Sequence, residues 1–263
     1  MTMRPDPTFH ASPKLAMEAP PENFAYTLLL SPDFSKPDAL AVIDVKPGSP
    51  TFSQIVHTVT MPYTGDEFHH CGWNACSSSL SPLTGHAFLE RRYLIIPGLR
   101  SSRIYVVDTK PDPTKAKIHK IIEPEEVFKK TGYSRPHTVH CGPEGIYVST
   151  LGGGGKDGTN GPPGVFIMDC ETFDILGRWE IDRGAQNLPG NWESSRFNLP
   201  LSLHEAIPTI GKHDTVILLH NDAVVQGLSE APFMIDVAHW GVLTIGTGLG
   251  NARFTNRTSS GKD

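Results

Sequence analysis

The sequence predicts an all-β fold built from propeller-like blades in its first 186 residues, followed by an irregular tail. Three observations predict it. Gly and Pro are abundant, 25 and 23 of 263 residues, which favours many turns and short elements over a helical bundle. Apolar or alternating runs of strand length recur along the chain. An apolar run closed by Asp, then a polar turn, then a second β-rich run also occurs three times, with Asp at positions 44, 108 and 169. A unit of about four short strands ending in such a hairpin has the make-up of a propeller blade.

In chain order, residues 1–24 read as an extended lead-in broken by prolines. Phe24–Leu30 (FAYTLLL), Ala39–Asp44 (ALAVID) and Ser53–Thr60 (SQIVHTVT) follow as strands separated by turns. Ala87–Pro97 and Arg103–Asp108 (RIYVVD) precede the turn TKPDPTK and the strand Ala116–Ile122. Glu123–Thr131 (EPEEVFKKT) has acids early and lysines late, the charge order that suits a short helix. Gly145–Thr150, Gly164–Asp169 and Ile175–Ile181 make the third unit. The repeat intervals, 64 and 61 residues, exceed the ~40–50 of common blades. Met61–Pro82 and Glu123–Pro136 take up the excess.

Composition excludes several classes. The net charge is −5, which gives no basic footprint for nucleic acid. No apolar run approaches the ~18 residues of a membrane span. The first twenty residues hold four prolines and no continuous apolar core, unlike a signal peptide. Four cysteines (Cys71, Cys76, Cys141, Cys170) without an export signal predict reduced thiols and a cytoplasmic protein.

Candidate chemistry concentrates in two stretches. Asp66–Ser79 reads DEFHHCGWNACSSS, and Pro136–Cys141 reads PHTVHC. Their four imidazoles, His69, His70, His137 and His140, stand beside thiols, the donor set of a borderline-soft metal site. In a regular strand His69 and His70 point to opposite faces; on an irregular loop they can converge. His137 and His140 share a face in a helical turn and diverge in a regular strand. Loops of neighbouring blades converge on one mouth of a propeller, so the two stretches can meet. The bland alternative for each histidine is a ring satisfied by a backbone carbonyl, and for Trp73 and Asn74 it is local packing. Cys76 and Cys141 are candidate selenium- or thiol-binding residues. Gly152–Gly155 lack the GxxxxGK[ST] order, so a hairpin loop is expected there.

Residues 1 to about 186 resemble the selenium-binding protein family, whose members include methanethiol oxidases. The resemblance rests on DEFHHCGWNACSS, RSSRIYVVDTKPDPTKAKIHKIIEP, HTVHC, YVSTLGG and ETFDILGRWE. It implies about three blades of a seven-bladed propeller and a cytoplasmic oxidase acting on methanethiol and dioxygen. Copper is the implied cofactor, with His69, His70, His137 and His140 as ligands and catalytic residues. The alternative it leaves is a non-catalytic selenium- or thiol-binding protein. The cysteine to which selenium capture is ascribed in animal members aligns with Ser53, and Cys71 is assigned no role. Residues 187–263 match none of these motifs and read as a divergent tail, as a truncated or frameshifted reading frame would give. Three blades do not close a ring, so an impaired oxidase is expected.

Overall fold

The computed structural model describes residues 5–80, 89–142, 144–154, 159–179, 198–217, 222–245 and 249–256. It divides into two compact units, 1–188 and 189–263.

The first unit begins with a short helix, α1 (Pro13–Glu18), capped by Ser12, whose side chain accepts from Leu15 N. The lead-in is therefore not extended throughout. It is tied down because the Asp6 carboxylate accepts from Thr8 N and from Arg91 N, at 2.8 and 3.0 Å. Three antiparallel sheets follow. The first runs β1 (Phe24–Leu29), β2 (Pro37–Asp44), β3 (Ile55–Thr64). The second runs β4 (Gly72–Trp73), β5 (Tyr93–Pro97), β6 (Ile104–Asp108), β7 (Lys117–Ile122). In the third, β8 (Pro136–Gly142), β9 (Gly145–Thr150), β12 (Gly164–Met168) and β13 (Ile175–Arg178) lie side by side. A small hairpin, β10 (Gly153–Gly154) with β11 (Asn160–Gly161), interrupts it at the glycine-rich stretch. These sheets are three blades of a partial propeller, and no sheet closes into a barrel among the described residues.

The repeated Asp has a common job. Asp44 Oδ1 accepts from Lys46 N at 2.9 Å, Asp108 Oδ1 from Lys110 N at 3.1 Å, and Asp169 Oδ1 from Glu171 N and Thr172 N at 2.8 Å each. Each carboxylate closes the turn that joins the last two strands of its blade, because a short acceptor side chain can bond a backbone N–H two residues ahead.

The middle blade is buried on both faces. Residues of β5 and β6 alternate: Ile95, Ile104 and Val106 pack with Ile146, Val148, Phe166 and Met168 of the third blade. Leu94, Ile96, Tyr105 and Val107 pack with Leu40, Val59 and Met61 of the first. That is why RIYVVD reads as an unbroken apolar run rather than an alternating one. Asn74 pins the seam between blades two and three. Its Nδ2 donates to the Glu90 and Cys170 carbonyls, both at 3.2 Å, and its Oδ1 accepts from Arg92 N and Tyr93 N. Helix α2 (Pro124–Thr131) carries Glu125 and Glu126 in its first turn and Lys129 and Lys130 in its last. It ends on Gly132, whose φ of 72° is the left-handed cap that glycine adopts without strain.

The second unit holds α3 (Leu199–Ala206), the two-residue strands β14 (Thr209–Ile210) and β15 (His213–Asp214), α4 (Asp222–Glu230), and a hairpin of β16 (His239–Ile245) and β17 (Leu249–Thr255). Within the hairpin, Trp240 stacks on Phe254 with ring centroids 4.4 Å apart. Residues 215–217 form no strand. A strand does form over 239–245.

Candidate metal centre

The loop that carries His69 and His70 leaves β3 and is held rigidly before it enters β4. Asp66 is fully buried and accepts from Tyr105 Oη at 2.7 Å and from Arg103 Nη1 at 3.2 Å. Burial and the facing Asp66 carboxylate both push the Tyr105 phenol far above its ordinary pKa, so it stays a donor. Phe68 is buried edge-on to Tyr105, and its N–H donates to Asp38 Oδ2. The main chain of Asp66 and Glu67 accepts from Arg100 N and Leu99 N. Between these anchors Glu67 takes a φ of 62°, a sparsely populated value for a residue with a Cβ.

His137 and His140 come from β8, the first strand of the third blade. Its pairing with β9 shifts between Pro136 and Val139: Pro136 faces Thr150, whereas Val139 faces Val148. Three steps on β8 therefore match two on β9, a bulge of one residue. Pro136, Val139 and Cys141 all point into the core, while His140 is exposed. The bulge breaks strict alternation, and this is how a strand accommodates the i, i+3 pair.

The two segments meet because Gly72 has no side chain. A Cβ there would collide with the Val139 backbone carbonyl, so glycine is what lets β4 approach β8. Cys76 and Cys141 are then joined as a disulfide across the same seam, with Cα atoms 6.2 Å apart. The expectation of four reduced thiols is corrected here: only Cys71 and Cys170 are free. Sixty-five residues separate the bonded pair, and only blade packing makes them neighbours.

Three of the four candidate histidines converge. His69 Nδ1 lies 3.3 Å from His137 Nε2, and the His70 and His137 ring centroids are 4.5 Å apart. Glu67 Oε1 accepts from His69 Nε2 at 3.1 Å, and Thr138 Oγ1 lies 3.0 Å from His137 Nδ1. The outer nitrogens are thus occupied and the inner two face one another. Two nitrogens bound at ~2.0–2.1 Å to one tetrahedral ion lie ~3.3 Å apart, so the donor pair fits a single cation. Carboxylate and hydroxyl partners on the far ring nitrogens are the usual supports of metal-binding imidazoles. Burial, then the charges of His70, His69 and Arg135, holds the His137 pKa below its ordinary value, favouring the neutral ring that a metal requires.

His140 sits beside this cluster on the same strand but keeps other company. Its Nδ1 lies 2.6 Å from the Cys141 carbonyl, and its ring nitrogen is within 4.8 Å of the Cys76 and Cys141 sulfurs. Two other described histidines of this unit have structural roles. His57 Nε2 lies 2.8 Å from the Ala116 carbonyl, and His119 packs on Tyr93 and Phe173. Glu67 and Thr138 were missed as site residues by sequence reasoning. The adjacency of each to a candidate histidine was the available signal.

A blade array with a histidine seam is the architecture of a propeller with a candidate metal site, and comparisons place it further. The pattern of the 56kDa selenium binding protein (SBP56) family matches residues 3–214. The chain belongs to that family. The match extends past residue 186, where the recognisable motifs end. "Selenium-binding protein 3" of Arabidopsis thaliana is 46% identical over 176 residues, 66% of this chain and 35% of that protein. "Methanethiol oxidase" of Xenopus laevis is 42% identical over 203 residues, 76% of this chain and 42% of that one. The X-ray structure of a hypothetical selenium-binding protein from Sulfolobus tokodaii superimposes with a TM-score of 0.62 at 56% identity. It covers 67% of this chain and 38% of that one. The chain thus spans well under half the length of the relatives it matches.

Proposed function

We propose that this chain carries the copper-binding histidine cluster of a methanethiol oxidase, with His69 and His137 as principal ligands and His70 beside them. The observation that carries the reading is the 3.3 Å approach of His69 Nδ1 to His137 Nε2. Kinship with proteins named methanethiol oxidase supports the substrate. The reaction takes methanethiol, dioxygen and water to formaldehyde, hydrogen sulfide and hydrogen peroxide, which balances in all atoms. Copper there would supply a centre that binds a thiolate sulfur and relays its electrons to dioxygen. Glu67 keeps the His69 proton on Nε2, Thr138 orients His137, and the Gly72–Val139 approach sets their separation. His140, the fourth candidate, is left out of this ligand set because its ring nitrogen lies beside the sulfurs.

The test loads air-oxidised, purified chain with copper and measures metal content, the EPR spectrum and peroxide release from methanethiol. One copper per chain with nitrogen hyperfine structure, lost in His69→Ala and His137→Ala, is expected. Copper binding indifferent to both substitutions overturns the site, and peroxide release that is the same in His69→Ala and His137→Ala as in the unsubstituted chain overturns its role in turnover. A non-catalytic selenium- or thiol-binding protein working through Cys76 or Cys141 is the second reading. It requires the disulfide to open first.

A further inference from the structure

The disulfide seam holds a second donor set, separate from the three-histidine cluster. Cys76 Sγ, Cys141 Sγ and a ring nitrogen of His140 all lie within 4.8 Å of one another. Cys141 is buried, Cys76 half-buried and His140 exposed, so the group opens to solvent on one side only. Ser78 Oγ lies 3.1 Å from Cys76 Sγ and 3.8 Å from Cys141 Sγ, placed to donate to either sulfur. The two sulfurs come from different blades: Cys76 follows β4, and Cys141 lies in β8.

We infer that Cys76, Cys141 and His140 form a redox-gated site for a thiophilic divalent cation such as zinc or cadmium. While the disulfide is closed, neither sulfur can act as a thiolate ligand and the site is shut. A phosphine or dithiol reductant breaks the S–S bond by supplying two electrons. With a phosphine, water provides two protons to the thiols and its oxygen leaves in the phosphine oxide. The cation then displaces both thiol protons and takes the two thiolates and the imidazole, which is a common structural ligand combination. Two sulfurs held at ~2.3 Å by one tetrahedral ion lie ~3.8 Å apart, a separation that side-chain rotation reaches from Cα atoms 6.2 Å apart. A two-electron oxidant such as hydrogen peroxide, reduced to two waters with two protons from solvent, converts the two thiolates back to the disulfide and so releases the cation. The seam is cross-linked in both states, by sulfur in one and by metal in the other. This goes beyond the copper reading and does not depend on it.

The experiment titrates the full chain with cadmium, following thiolate charge-transfer absorption, before and after reduction with tris(2-carboxyethyl)phosphine. Thiol counting in denaturant runs in parallel. The expected result is two free thiols and no thiolate band before reduction, then four thiols and one cadmium per chain after it. Cys76→Ser and Cys141→Ser abolish the band, His140→Asn weakens binding at least tenfold, and Cys71→Ser and His69→Ala leave it intact. Circular dichroism confirms that each variant is folded, and reduced wild type carries the test if one is not. Cadmium binding that is equal in both redox states, or absent from the reduced wild type, overturns the inference. So does retention of full affinity in folded Cys76→Ser.

Discussion

His69 Nδ1 faces His137 Nε2 at 3.3 Å across the seam between the second and third blades, and Glu67 Oε1 holds the opposite nitrogen of His69. Glu67 therefore fixes both the tautomer and the tilt of the first ring. Replacing it with Gln removes the charge while keeping the shape. Copper affinity is expected to fall by ~10–100-fold, the usual cost of losing such a support, with the circular dichroism spectrum unchanged. Competition against a chelator of known affinity measures it.

Gly72→Ala tests the close approach that creates the site. The added methyl meets the Val139 carbonyl and Cβ, which belong to a strand and have little room to retreat. A loss of ~1–3 kcal/mol is expected, as for overpacking in general. Thermal melting shows it as a lowered midpoint.

Tyr105→Phe strips one donor from the fully buried Asp66 carboxylate, leaving Arg103 as its charged partner. An unsatisfied buried acceptor costs ~1–3 kcal/mol. Because Asp66 stands three residues before His69, copper binding is expected to weaken along with stability. Urea unfolding and metal titration on the same variant read the two effects.

Acid stability depends in part on Asp108. Its carboxyl is held below the ordinary carboxylate range first by the hydrogen bonds from Arg92 Nε and Nη2, at 2.8 and 2.7 Å, against the opposing effect of burial. A depressed pKa contributes stability that is present above the unfolded value, ~3.9, and is lost as pH falls through the lower folded value. Arg92→Met is therefore expected to lower stability in full at neutral and alkaline pH, by an amount that shrinks as pH falls below ~3.9, and to raise the midpoint of acid unfolding. The shift is modest because Arg92 is partly exposed and solvent screens the pair. An acid titration followed by tryptophan fluorescence measures it.

Much of the blade order was legible from residues alone, for a physical reason. The three Asp hairpins announce themselves because a turn that needs an acceptor at its first corner uses Asp in each copy. Helix Pro124–Thr131 was equally clear, since its charge order and its Gly132 cap are local signals. The placement of His137 and His140 was not legible, because it depends on a one-residue bulge whose cause lies in pairing with β9. The Cys76–Cys141 disulfide was hidden for the same reason. Nothing near either cysteine in sequence marks a partner in the next blade, and the reading of reduced thiols followed from the lack of an export signal instead of from contacts. Gly72 carries no local signal of its role, because the residue against it, Val139, lies in the next blade.

Asn74 engages two main-chain acceptors and two main-chain donors drawn from adjoining blades, and so uses both ends of its amide. An aspartate of the same outline would confront two carbonyl oxygens without a hydrogen to offer, and a leucine would strand all four groups. The junction thereby imposes a polarity rule on a single position. Errors there would be felt at the imidazoles four and five residues upstream, as a misaligned joint rather than a missing ligand.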